Sequence, residues 1–125
     1  VDDAGSVIIP LIFEGQQQGG ISQGISQALY EDVRYDEYGN PLTSNLSDYA
    51  AISAAELPMF ERVVLETPTH INPLGAKGIG ESGTVGATPA IQNAVIDALN
   101  HLGVRHLDMP LTPEKVWRAI KDSKA

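Results

Sequence analysis

The segment Gly75-Ala76-Lys77-Gly78-Ile79-Gly80-Glu81-Ser82-Gly83-Thr84 sets four glycines around one lysine and one glutamate. Glycine admits φ > 0 and lets a backbone approach a ligand with no Cβ between them. So dense a run predicts a loop built for close approach, and the carboxylate in its middle is a candidate general base. The loop is expected to run from Pro68 to Ala87, with Pro68 and Pro73 in its first half. Loops that long inside a compact domain usually carry function. Lys77 adds a positive charge, and Gly83 to Ala87 lead toward an expected helix N-terminus, whose free N–H groups favour anions.

Gly78-Ile79-Gly80-Glu81-Ser82-Gly83 matches G-x-G-x-x-G to the letter. A dinucleotide-binding turn must follow a strand directly and open a helix. Here the expected strand ends near Thr67, the expected helix starts at Thr88-Pro89, and Glu81 puts negative charge where a pyrophosphate would sit. The phosphate-loop pattern is absent, because Lys77 precedes the glycine pair. A second candidate segment is Glu14-Gly15-Gln16-Gln17-Gln18-Gly19-Gly20. Its amides offer donors and acceptors without charge, and its glycine pair exposes backbone.

Around these segments the pattern predicts an α+β domain with a mixed sheet and two or three packed helices. Val7 to Phe13 reads as a strand limited by Pro10. Glu14 to Gly20 reads as a turn. Ile21, Ile25, Ala28 and Leu29 fall at helical spacing. Val33-Arg34-Tyr35 and Leu42-Thr43 flank a hairpin turn at Asp36 to Pro41. Asp48 to Ile52 reads as a short strand and Ala54 to Leu57 as a helical turn ended by Pro58. Arg62 to Thr67 reads as a strand. A helix follows with Thr88 as cap and Pro89 first, an apolar stripe at Ile91, Ala94, Val95, Ala98, Leu99 and Leu102, and Gly103 at its C′ position. A last helix starts at Thr112-Pro113-Glu114 and turns Val116, Trp117 and Ile120 inward.

The chain has 125 residues, suited to one domain, and a formal net charge of −8 from 16 acids and 8 bases. That balance lacks the basic face a nucleic-acid binder needs. No cysteine is present, which removes disulfides, thiolate metal sites and iron–sulfur ligands from this chain and fits a reducing, cytoplasmic setting. No apolar run approaches the ~18 residues of a membrane helix. His70, His101 and His106 have no metal-ligand spacing; His101 reads as a partner of a helix C-terminus. Asp2-Asp3 and Glu31-Asp32 are expected to be solvated. Opening on Val1, the chain reads as a piece of something longer.

Three segments together resemble one family. Glu14-Gly15-Gln16-x-x-Gly19-Gly20, Asn72 to Thr84 and Asp108-Met109-Pro110-Leu111-Thr112-Pro113-Glu114 are similar to the C-terminal end of the large subunit of molybdenum hydroxylases, the group that includes xanthine dehydrogenase, aldehyde oxidoreductase and aerobic carbon monoxide dehydrogenase. The resemblance runs from about Val7 to Ile120, so residues 1–125 are expected to be a C-terminal molybdopterin-binding subdomain. It implies that Glu81 is the base that deprotonates a molybdenum-bound hydroxyl. It implies that Gln16, Gly19, Gly20, Ala76, Lys77, Gly78, Ile79 and Gly80 lie along the molybdopterin, expected as the cytosine dinucleotide. The dithiolene of the pterin holds the metal, so no protein ligand is expected. The family often has histidine where this chain has Gln18. FAD and 2Fe-2S centres are expected on partner domains or subunits, and further cofactor loops and most of the substrate pocket on the upstream part of the large subunit.

Two functions of different class follow. One is a segment of an oxidoreductase that hydroxylates an aldehyde or N-heterocycle, inactive in isolation. The other is a non-catalytic docking or assembly module of a multi-subunit molybdoenzyme. A stand-alone nucleotide-binding domain is the weakest alternative.

Overall fold

The computed structural model describes residues 1–123. The element order is β1 (Asp2–Asp3), α1 (Pro10–Leu29), β2 (Val64–Leu65), α2 (Ser82–Leu99), a 3₁₀ turn at Asn100–Leu102, and α3 (Pro113–Asp122). The class is α+β, but the expected mixed sheet reduces to one parallel pair, Asp2 beside Val64 and Asp3 beside Leu65. Two isolated antiparallel bridges join Gly5 to Ala76 and Tyr35 to Pro41. The second marks the expected hairpin turn. There the Asp36 carboxylate accepts from the N–H groups of Tyr38 and Asn40, and Leu42 N–H donates to the Arg34 carbonyl at 2.8 Å. No strand forms at Asp48 to Ile52, and residues 54–56 form a turn.

The largest departure lies between Val7 and Gly20. The expected strand and turn are replaced, from Pro10 onward, by the first half of α1. Pro10 starts the helix, where a missing N–H costs no bond. The glycines that read as a turn serve a helix crossing instead. A Cβ on Gly20 would stand 2.9 Å from the Thr84 nitrogen, and one on Gly24 would stand 2.6 Å from the Ala87 Cβ. Thr84 Oγ1 donates to the Gly20 carbonyl at 3.1 Å, and Thr88 Oγ1 to Gln27 Oε1 at 3.2 Å. The helix-weakening effect of glycine is offset by the backbone contact it permits. The helical spacing from Ile21 onward agrees with the structure, and Ile25 and Ala28 are buried.

α2 begins at Ser82, ahead of the expected cap at Thr88, and carries Pro89 inside it. Thr88 therefore faces α1 and caps nothing. Leu99 is buried as expected, but Ala94 and Ala98 are exposed. Gly103 takes φ 82° after the 3₁₀ turn. His101 sits in the 3₁₀ turn that follows α2, its Nδ1 2.9 Å from the Ala98 carbonyl in the last turn of that helix. Thr112 caps α3 through its side chain and Pro113 opens it, both as read. Trp117, expected inward, is 58% exposed. The buried apolar side chains are Ala4, Phe13, Ile25, Ala28, Leu99 and Leu111, and Leu111 N–H donates to the Ala28 carbonyl at 2.6 Å. The core therefore lies along α1, under α2 and the segment that leads to α3.

Candidate functional site

The glycine loop spans the gap between β2 and α2, and its base is built by Asn72. The Asn72 Oδ1 accepts from the N–H groups of Leu74 and Ala76, and its Nδ2 donates to the Ala76 carbonyl at 2.9 Å. Gly75 takes φ 67°, and its carbonyl accepts from Ser6 N–H at 2.9 Å and Thr69 N–H at 3.0 Å. Lys77 N–H donates to the Ala4 carbonyl at 2.8 Å. The N-terminal strand thus continues through Gly5 to grip Gly75–Lys77. Gly5 itself has φ 64°, and a Cβ there would stand 2.1 Å from the Gly75 oxygen. Only glycine permits that approach.

Asp2 and Asp3, expected to be solvated, are both engaged. The Asp3 Oδ1 accepts from Gly5 N–H at 2.8 Å and Thr67 N–H at 3.0 Å, and its Oδ2 pairs with Lys77 Nζ at 3.0 Å. Donation from Thr67, then Gly5, then Lys77 stabilises the ionised form and holds this carboxyl well below the usual carboxylate range. The Asp2 Oδ2 accepts from Gln17 Nε2 at 2.7 Å, and Gln17 is buried. Glu31 is also occupied, as the acceptor of the Tyr49 hydroxyl. Sequence reading missed these three acids because, Gly5 apart, their partners lie 15 to 74 residues away.

Past Lys77 the chain runs free. Among the described residues, the N–H groups of Gly78, Ile79, Gly80 and Glu81 donate to no protein acceptor. The run ends where Ser82 N–H bonds the Ile79 carbonyl at 3.3 Å and Val85 N–H bonds the Glu81 carbonyl at 3.2 Å. Glu81 occupies the N-cap position of α2 and makes no side-chain cap bond. Its side chain is exposed and has no hydrogen bond or ion pair among the described residues. The positive end of the helix dipole favours a carboxylate at that position.

The second candidate segment meets this loop. A Cβ built on Gly80 would stand 3.7 Å from Gln16 Oε1, so the α1 amide reaches the loop one residue before Glu81. Gly19 lies on the open face of α1, with nothing within 4 Å of an added Cβ. Gly20 is buried at the helix crossing, against Gly83 and Thr84. Gln16 and Gly80 are therefore neighbours, with Glu81 next in the chain and Gly78 and Ile79 in the same unbonded run. Ala76 and Lys77 form the fixed base of the loop, and Gly20 the joint beneath it. Lys77 and Ile79 also border a largely apolar cavity of about 260 Å³, walled further by Val7, Ile8, Ile12 and Phe13. No cluster of three or more metal-ligating side chains occurs among the described residues, and none of their helices is long and apolar enough to cross a membrane.

A family model described as a molybdopterin cofactor-binding domain matches residues 1–58. The chain is 43% identical over 122 residues to the carbon monoxide dehydrogenase large chain of Hydrogenophaga pseudoflava, covering 98% of this chain and 15% of that protein. It is 45% identical over 121 residues to the nicotine 6-hydroxylase large subunit of Paenarthrobacter nicotinovorans, covering 97% and 15%. Among solved structures, quinoline 2-oxidoreductase from Pseudomonas putida 86 superimposes with a TM-score of 0.91 at 43% identity, over 96% of this chain and 15% of that one. The chain spans 15% of the length of these relatives.

Proposed function

The chain belongs to the molybdenum hydroxylase family as a stretch of its large subunit, and on that premise we propose that it forms part of an oxidoreductase in which Glu81 is the catalytic base. Residues 1–125 act as its C-terminal molybdopterin-binding subdomain. The substrate class is an aldehyde or an N-heterocycle. The relatives named for nicotine and quinoline support the second. The observation that carries the reading is the isolation of Glu81, which has no side-chain partner among the described residues, while Asp3 and Lys77 at the loop base are paired with each other. Asp3 engages the Lys77 ammonium at 3.0 Å and so leaves Glu81 free to receive a proton.

The residues present suit a large polar cofactor. Four successive accessible N–H groups, Gly78 to Glu81, donate to no acceptor among the described residues and are open to the oxygens or nitrogens of a ligand. Gln16 adds an amide with both donor and acceptor. Gly19 and Gly78 lie open, without a Cβ to block approach. Gln16 and Gly19 on α1, with Gly78, Ile79 and Gly80 on the loop, would hold the molybdopterin, as the cytosine dinucleotide, while Gly20, buried at the helix crossing, and Ala76 and Lys77, bonded to the N-terminal segment, would support that surface. When bound, that group supplies a Lewis-acidic metal and a sink for the two electrons of substrate oxidation. Glu81 takes up the proton released at the reacting centre, the loop amides hold the cofactor in register with it, and the α2 dipole favours the ionised carboxylate beforehand. The upstream part of the large subunit closes the site against water. FAD and 2Fe-2S centres reside on partner domains or subunits in the cytoplasm, and the isolated chain is inactive.

The test is Glu81→Gln in the complete large subunit, assembled with its partners and loaded with cofactor. The expected result is a loss of about 10³-fold in kcat, within the range of general-base catalysis. Unchanged turnover with intact assembly would overturn the base and leave the docking role.

A further inference from the structure

We infer that Asp3 is a positioning residue for this site, a carboxylate clamp that fixes the base of the glycine loop and through it the place of Glu81. The inference deepens the reading of Glu81 as base and rests on it for its catalytic arm alone.

Three parts of the chain converge on Asp3. Gly5 N–H binds from the same strand, Thr67 N–H from just past β2, and Lys77 Nζ from the loop, at 2.8, 3.0 and 3.0 Å. Thr67 and Lys77 bracket the stretch that Asn72 organises, so one carboxylate closes the base of the loop from both ends. Backbone bonds run parallel to it, from Ser6 and Thr69 to the Gly75 carbonyl and from Lys77 to the Ala4 carbonyl. Beyond Lys77 only Gly78, Ile79 and Gly80 separate the clamp from Glu81, and their N–H groups have no acceptor among the described residues to steady them. The free run is anchored at one end by Asp3 and at the other by the first turn of α2. Loss of the first anchor leaves two glycines to absorb the slack, and glycine absorbs it readily. Lys77 would at the same time lose its counter-ion one loop away from a base that depends on staying unpaired.

The chemistry predicts an order among substitutions. Asp3→Asn keeps an oxygen for Gly5 and Thr67 but turns an amide N–H₂ toward the Lys77 ammonium, donor against donor. Lys77→Met removes one of the three donors. Lys77→Arg keeps it.

The experiment uses the complete large subunit, assembled and loaded with cofactor. Hydrogen exchange is followed at Ser6, Thr69 and Lys77, whose amides bond to backbone carbonyls and not to the altered side chains, with the interior of α2 as reference. Asp3→Asn is expected to speed exchange at all three about tenfold, the lower end of what a charge-assisted bond commands. α2 should stay at its wild-type rate. Turnover should fall in kcat with KM within about twofold, the pattern of an interaction felt in the transition state alone. Lys77→Met should give a smaller rise, and Lys77→Arg wild-type exchange. Unchanged exchange in Asp3→Asn, or a rise shared equally by α2, would overturn the clamp. Should Asp3→Asn fail to assemble, Lys77→Met carries the same readout, because the Asp3 bonds to Gly5 and Thr67 survive in it; unchanged exchange there would overturn the clamp. Glu81→Gln should leave exchange at the three amides unchanged. A fully active Glu81→Gln would therefore defeat the base assignment and leave the clamp standing.

Discussion

At the residue scale the site is arranged by pairing. Asp3 is saturated with donors, Lys77 is spent on Asp3, and Glu81 is left alone. The pairing of Asp3 has a measurable consequence in pH. Its folded pKa is depressed by Thr67, Gly5 and Lys77, whereas an unfolded aspartate titrates near ~3.9. Its contribution to stability is therefore complete above that ordinary value and is lost as pH falls through the lower folded one. The Thr67 and Gly5 amide resonances should accordingly show no titration step near pH ~4. A step at that pH would mean that the carboxylate is not bound as described. Nothing near Asp3 in the sequence announces this, since two of its donors lie 64 and 74 residues away. Glu81 stands out in the sequence because charge is rare inside so dense a run of glycine, a local contrast, and its proposed role is what Glu81→Gln tests.

At the element scale the helices show where local pattern failed. Val7 to Phe13 is β-branched and apolar, and Glu14 to Gly20 is rich in glycine, so propensity favours a strand and a turn. Both belong to α1 or lead into it because α2 packs against the glycine side. The tertiary contact decides, and it is invisible in a window of seven residues. Thr112-Pro113 and Gly103 were legible because caps and C′ glycines are local devices. Thr88-Pro89 imitates such a cap, but the threonine hydroxyl bonds across to Gln27. The two kinds of glycine in α1 should part company under mutation. Gly20→Ala drives a Cβ to 2.9 Å from the backbone nitrogen of Thr84, and should cost about 1–3 kcal/mol. Gly15→Ala meets nothing within 4 Å, and should gain roughly 0.5–1 kcal/mol of helix stability. Urea unfolding of the two variants checks the signs. A neutral Gly20→Ala would mean that the helices do not cross there.

At the scale of the whole molecule, the chain is short of interior. Among the described residues six apolar side chains are buried, while Leu11, Met59 and Ile71 are 80%, 97% and 94% exposed. The exposed group at the start of α1, Ile8 and Ile9 just before it and Leu11 and Ile12 in its first turn, adjoins the apolar cavity beside Lys77 and Ile79. An apolar patch of that kind marks a contact surface, and the relatives, of which this chain matches 15%, have most of their length available to cover the matching face. Burial of such a patch gains roughly 25 cal/mol per Å² removed from water, so without the rest of the subunit another copy becomes the nearest substitute. The net charge of −8 opposes that approach, but the repulsion is long-ranged and weakens as salt shortens the Debye length. The isolated chain should therefore self-associate, and more strongly at high ionic strength, which sedimentation velocity over a concentration series measures. Replacing Leu11 and Ile12 by glutamine should reduce the association without unfolding α1, since both side chains are exposed and glutamine is a fair helix former. A chain that stays monomeric at high concentration and high salt would show that the face on α1 is not sticky enough to be an interior contact, and the partner-covered surface would then have to be sought around Met59 and Ile71.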